Sequence, residues 1–180
     1  MAAMQNNMRD ALVAQTTAQL DALCAKGVRL GGNAYSPIVL IKGELNQEEQ
    51  AGGELLAGKD GAALRSALVA IGYEPDDFCT LSAADSIDTA LFTEVLEVLD
   101  PEVVVLLDDT ARDVMRESYA DALAAIEDFN TAMLMPGLVA HVLGRRVLAL
   151  DGFEAALSNA QDKQRMWAYL KQIPPLGAPL

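Results

Sequence analysis

The run Val103-Val104-Val105-Leu106-Leu107 most constrains what this chain can fold into, because three consecutive β-branched residues disfavour helix and suit a pleated, packed surface. It carries no polar alternation, so it reads as a strand covered on both faces. Pro37-Ile38-Val39-Leu40-Ile41 repeats that pattern between turn signals. Phe78-Cys79-Thr80-Leu81 reads as a weaker strand and Arg146-Val147-Leu148-Ala149-Leu150 as a further one.

Helical patterns separate these runs. Residues 4–26 lack Gly and Pro and are rich in Ala, Leu, Gln and Met, which predicts a helix closed by Gly27 and packed on the body. Leu64, Leu68 and Ile71 are spaced four and three apart, with Asp60 as the expected N-cap and Gly72 as the C-cap. Ile87, Leu91, Val95, Leu96 and Leu99 form the next apolar stripe, capped by Asp85 or Ser86 and stopped at Asp100-Pro101. Asp108-Asp109-Thr110 open a long helix toward Ile126, and residues 155–173 form the last helix, with Met166, Trp167 and Leu170 turned inward. Residues 128–144, around Pro136-Gly137, are expected to be irregular or in short helical pieces.

Strands alternating with crossover helices imply a three-layer α/β/α sandwich with a central, mainly parallel four-stranded sheet. At 180 residues the chain is read as a single domain, with 1–27 an N-terminal helix and 174–180 a Pro-rich tail. Ligands of such sheets bind at the carboxyl ends of the strands, where Glu44, Ser82, Asp108 and Asp151 should lie.

The net charge of −13 is concentrated: residues 74–128 hold 16 acids against Arg112 and Arg116 alone. Tight nonspecific binding to phosphate backbones draws on Lys and Arg, so this balance argues against it. A solvated acidic face is the plain reading. Cys24 and Cys79 are far apart and form no CxxC pair, which supports neither a disulfide framework nor a cysteine-ligated zinc or iron-sulfur site. The opening MAAMQNNMRDA interrupts any secretory apolar stretch, and no later run is long enough to span a bilayer, so a cytoplasmic protein without a membrane association is expected.

Three further segments stand in a set order: IKGELNQEE from Ile41, GELLAGKDG from Gly53 to Gly61, and ALDGF from Ala149 to Phe153. With DFCTLS and LDPEVVVLLDD between them, over roughly Ser36 to Lys171, the chain resembles the iron-sulfur branch of the uracil-DNA glycosylases. That family carries a GExPG strand end, a GxPFVGxxG loop, a TN pair, a DPxVVVxLG strand and an HPS turn. The glycine spacing of Gly53, Gly58 and Gly61 is the most distinctive part of the likeness.

The resemblance implies a site from which most catalytic groups are gone. Glu44 keeps the acidic position of the first motif and is the catalytic candidate, while Leu45 follows it and Asn46 stands where the family has proline. Leu56 takes the place of the Phe that stacks on a flipped base, and Leu81, beside Ser82, that of the Asn that reads its edge. Gly152 replaces the catalytic His, and Phe153 and Glu154 replace the Pro and Ser after it. Base excision needs stacking, hydrogen bonds to the extruded base and stabilisation of the departing anion. Each lost donor of the last kind costs on the order of 3 kcal/mol. The four cluster cysteines are absent too, so no cofactor is expected.

Other readings stay open beside it. Asp108, Asp109 and Asp151 fall at predicted strand ends and could join Glu44 as oxygen ligands of a divalent cation, or serve as helix caps. His141, the single histidine, sits in an apolar run and reads as structural. GKDG is not a Walker sequence, so Gly52-Gly53 and Gly58 are more simply a loop needing glycine backbone angles. Met133 and Met135 read as core filling, with an adaptable contact surface as the alternative, and Trp167 and Tyr169 as cover for the sheet.

The expected function is therefore that of a uracil-DNA glycosylase-like protein that has lost uracil excision and binds an unknown ligand. A weak DNA or nucleobase-like ligand and a protein partner are both open. The alternatives are a divergent glycosylase in which Glu44 activates water, and a metal-dependent hydrolase or phosphate-handling protein built on the strand-end acids.

Overall fold

Short apolar runs without alternation can be satisfied only if both faces of their sheet are covered, and the chain is arranged to do so. The structure is a computed structural model that describes residues 1–84 and 87–175. Asp85 and Ser86, expected as helix caps, lie outside the described residues, as does the tail beyond Pro175.

The chain begins with α1 (Ala2–Ala25), β1 (Leu30–Gly32), β2 (Ile38–Lys42), the single turn α2 (Gln47–Gln50), α3 (Lys59–Ile71), β3 (Cys79–Ser82) and α4 (Thr89–Leu99). It continues with β4 (Val103–Leu106), α5 (Asp109–Ser118), α6 (Ala120–Ala124), α7 (Phe129–Ala132), β5 (Val139–Val142), β6 (Arg145–Ala149), α8 (Phe153–Ala156) and α9 (Ala160–Leu170).

The sheet has six strands in the order β1-β3-β2-β4-β6-β5, not four. The expected runs form its parallel centre, with Val39 level with Cys79 on one side and Val104 on the other, and Val104 level with Val147. The two added strands are antiparallel edges. β5 arises inside the segment expected to be irregular. Its burial alternates, with Ala140 and Val142 turned in and His141 exposed, as an edge strand requires. Leu143 and Gly144 both have positive φ and join it to β6 in a two-residue hairpin of the type I′ kind.

Successive residues of each central strand enter opposite cores. Val39, Ile41, Val104, Leu106 and Val147 pack with Phe92, Val95 and Leu96 of α4 and Met115 of α5. Ile38, Leu40, Val103, Val105 and Leu148 pack with Leu64 and Leu68 of α3 and Met166 and Leu170 of α9. Helices thus cover both faces of the sheet.

Several helix ends differ from expectation. In α1 only Leu20 and Leu23 are buried, so the helix packs on the body chiefly through its last turns, with the Tyr35 hydroxyl bonding Val13 and Thr17 further up. α3 is capped by Gly58, because the Asp60 side chain is turned inward, and α4 is capped by Asp88, whose carboxylate accepts from the Ala90 and Leu91 N–H groups. The long helix toward Ile126 breaks at Tyr119, whose hydroxyl bonds Glu97. The last helix is two, because Asn159 caps α9 by accepting from the Gln161 and Asp162 N–H groups.

Candidate functional site

A strand buried along its whole length leaves its last side chain buried as well, and in β2 that residue is Lys42, 3 % exposed. A buried ammonium must be paired. Lys42 Nζ donates to Asp60 Oδ2 at 2.7 Å, to Glu154 Oε2 at 2.8 Å and to Glu49, whose Oε2 lies at 2.8 Å. Burial disfavours the ammonium, but the hydrogen bonds to Asp60, Glu154 and Glu49 outweigh it and hold the Lys42 pKa above the ordinary 10.5.

Two of the three carboxylates, Glu49 and Asp60, are held in turn by backbone, while Glu154 accepts from the Asn46 side-chain amide. Glu49 accepts from the Leu56 N–H at 3.0 Å and the Asn46 N–H at 3.0 Å, the second as part of a capping box that closes α2. Asp60 Oδ1 accepts from the Gly61 N–H at 2.8 Å. The ammonium therefore ties β2 to the 44–56 loop, to the first turn of α3 and to α8. Arg29 adds a second clasp on the same loop, donating to the carbonyl oxygens of Glu49 and Gly53.

Beside this cluster Asp108, at the end of β4, is buried and caps α5 by accepting from the Ala111 N–H at 2.9 Å. It also accepts from the Gly43 N–H at 3.0 Å and the Glu44 N–H at 2.9 Å, so it fixes the chain leaving β2. Glu44 is exposed at the mouth. Partial desolvation and the carboxylates of Asp108 and Asp109 push its carboxyl above the ordinary range. Lys42, Glu44, Asp60, Asp108, Phe153 and Glu154 enclose a cleft of about 40 Å³.

The expected site residues are only partly brought together. Glu44, Asp108, Gly152 and Phe153 line this cleft, and Asn46 reaches Glu154 at 3.4 Å. Leu45 and Ser82 line a separate polar cleft with Lys26 and Arg29. Leu56 and Leu81 are both fully buried, in opposite cores, and so face no ligand. Asp109 pairs with Arg112 and Asp151 with Arg165, and among the described residues no group of three or more His, Cys, Asp or Glu side chains is arranged to hold a metal ion. Glu44 and Asp108 share the cleft, but the four strand-end acids do not converge on one point.

The expected need for glycine backbone angles holds at Gly52, at φ 94°, and not at the glycines that follow it in the 53–61 loop. None of Gly53, Gly58 and Gly61 has a positive φ, whereas Leu56 does, at 57°. At Gly61 the reason is space, since a Cβ there would overlap the Leu56 carbonyl oxygen.

Reading the sequence missed Lys42, Glu49 and Asp60 as a unit. The available signal was a lysine ending an apolar strand run, IVLIK, with acids seven and 18 residues later. It also missed Arg145, buried at the start of β6 and paired with Glu97 and Asp100, both at 3.1 Å. That cluster lies at the other end of the strands from Lys42.

A pH dependence follows from the buried groups. Burial pushes the Cys79 thiol from 9.0 up to about 12, and burial with the Glu97 charge pushes Tyr119 from 10.0 up to about 12. Both folded values are raised, so this stability is present in full below about pH 9 and is lost as the pH rises toward 12. Lys42 has the same sign and adds its loss above its ordinary 10.5. Urea unfolding should show a plateau to about pH 9, then a fall of several kcal/mol, since each tenfold difference in proton affinity between the folded and unfolded chain is worth about 1.4 kcal/mol. Cys79→Ala should make the first part of that fall shallower. An unchanged unfolding free energy at pH 11 would contradict the assignment.

No known family model matches the chain, and no curated protein matches it. Among the described residues no helix is long and apolar enough to cross a membrane.

Proposed function

We propose that the protein is a binding or interaction protein, similar in frame to the uracil-DNA glycosylases and without their uracil excision. The supporting observation is the cleft at the carboxyl ends of β2 and β4. At about 40 Å³ it has room for a few waters. Ligand pockets run from roughly 300 to 1,000 Å³. The space a base would need is filled by Lys42 and its carboxylates, of which Glu49 and Asp60 are locked by backbone hydrogen bonds. Glu44 at the mouth, with Asp108 behind it, adds charge that repels a phosphate backbone.

The test is a gel-shift titration of a fluorescent uracil-containing oligonucleotide at low salt, with base release read from the same samples. No release is expected at any protein concentration. One observation favours a second reading, the raised Glu44 carboxyl in reach of solvent, which suits a general base. Release of uracil or another modified base that disappears in Glu44→Ala would replace the binding reading with that of a divergent glycosylase.

A further inference from the structure

Away from the strand ends, α5, α6 and α7 enclose an apolar groove of about 770 Å³. Its floor is Leu123, Ile126, Ala132 and Met133, and Phe129 stands at its edge, 73 % exposed in the first turn of α7. A phenylalanine this exposed beside an open apolar groove marks a contact surface rather than core. The flexible Met133 thioether adds a floor that can repack around different apolar anchors.

The rim decides what fits. Asp113, Glu117 and Glu127 line it against one guanidinium, Arg116, which is engaged by Asp113 at 3.5 Å and by the Met133 sulfur at 3.4 Å. Most of the groove's lining belongs to the 74–128 stretch, where 16 acids face two arginines, and Arg112 is paired with Asp109. An acidic or neutral apolar segment would bring Glu117 and Glu127 no counter-charge. A basic one pairs them and is steered to them on approach.

We propose that this groove docks a basic amphipathic helix of a protein partner, with two or three apolar anchors seated against Phe129, Ile126 and Met133 and flanking Lys or Arg on the acidic rim. A helix suits it because the walls are helices and offer no free sheet edge for strand addition. This names the partner chemistry of the binding reading above, and rests on that reading.

The probe is a fluorescent Leu/Lys peptide of about four helical turns, with leucines at i, i+3, i+4 and i+7, followed by anisotropy. Controls are a Leu/Glu peptide with the same leucine spacing and a scrambled Leu/Lys peptide that is not amphipathic. Binding in the micromolar range is expected for the Leu/Lys helix alone. Phe129→Ala should weaken it about tenfold, as loss of an aromatic contact residue does. Glu117→Gln with Glu127→Gln should weaken it and flatten its salt dependence. Trp167→Ala, in a second apolar groove between α3 and α9, should leave it unchanged. Absence of binding, equal binding of the scrambled peptide, or wild-type affinity in Phe129→Ala would each overturn the proposal. Uracil release by the same preparation would overturn the binding-protein reading instead, a result separable from the peptide affinities.

Discussion

Lys42→Met should lower the unfolding free energy by about 3–5 kcal/mol, the cost of removing one partner from a buried ion pair. In a chain of this size that corresponds to a fall in Tm on the order of 10 °C. The reason is what the substitution leaves behind. The Glu49 and Asp60 side chains are each 2 % exposed, so neither can recover its lost counter-charge from water. Glu154, 45 % exposed on its side chain, can. The penalty therefore belongs to Glu49 and Asp60.

This division sets a second-site test by urea denaturation. Asp60→Asn in the Lys42→Met background removes a buried charge and keeps an oxygen for the Gly61 N–H, so it should return part of the lost stability. Glu49→Gln should return less, because Glu49 uses both oxygens on backbone N–H groups and an amide has one. If Lys42→Met lies within about 1 kcal/mol of wild type, the range of an exposed pair, the cluster does not organise the loop.

The sheet centre was readable because its residues have no alternative. Ile38 to Ile41 and Val103 to Leu106 are apolar at every position, and only a strand with two covered faces buries them all. β5 was hidden for the opposite reason. It is an edge with one buried face and turns through Leu143-Gly144, where a hairpin signal would usually carry Asn or Asp before the glycine. The helix breaks at Tyr119 and Asn159 are set by tertiary bonds and a side-chain cap within sequences that otherwise favour helix.

The site was readable only in outline. Of the four residues the strand-end rule points to, Glu44 and Asp108 line the cleft, whereas Ser82 lines another and Asp151 pairs with Arg165. The rule could not show that the Asp108 oxygens are taken by three backbone N–H groups, or that Leu56 points into the core. Nor does local pattern reveal Lys42 with Asp60 and Glu154, since those residues meet through the crossing of β2, α3 and α8 and lie 18 and 112 positions from the lysine.

The same crossing makes Gly61→Ala the second severe substitution, expected to cost on the order of 3 kcal/mol, the upper end of overpacking penalties. A Cβ at position 61 would overlap the Leu56 carbonyl oxygen, lie 2.5 Å from its carbon and 2.9 Å from an Arg65 nitrogen. The Leu56 carbonyl has little freedom to retreat. Its residue sits at φ 57°, its N–H is held by Glu49 and its oxygen accepts from Arg65 at 3.1 Å. The first turn of α3 must move instead, and Asp60 moves with it, away from Lys42. Gly58→Ala is the matched control: only an Asp60 oxygen, at 3.7 Å, lies near the added Cβ, and losing a glycine N-cap should cost about 1 kcal/mol at most. Gly53→Ala falls between them, with Glu48 O at 2.8 Å on a loop that can shift. Equal urea midpoints for the Gly61 and Gly58 variants would mean that close approach is not why glycine stands at 61. A large separation would tie the glycine spacing to packing of this loop on α3, with no phosphate or base required to explain it.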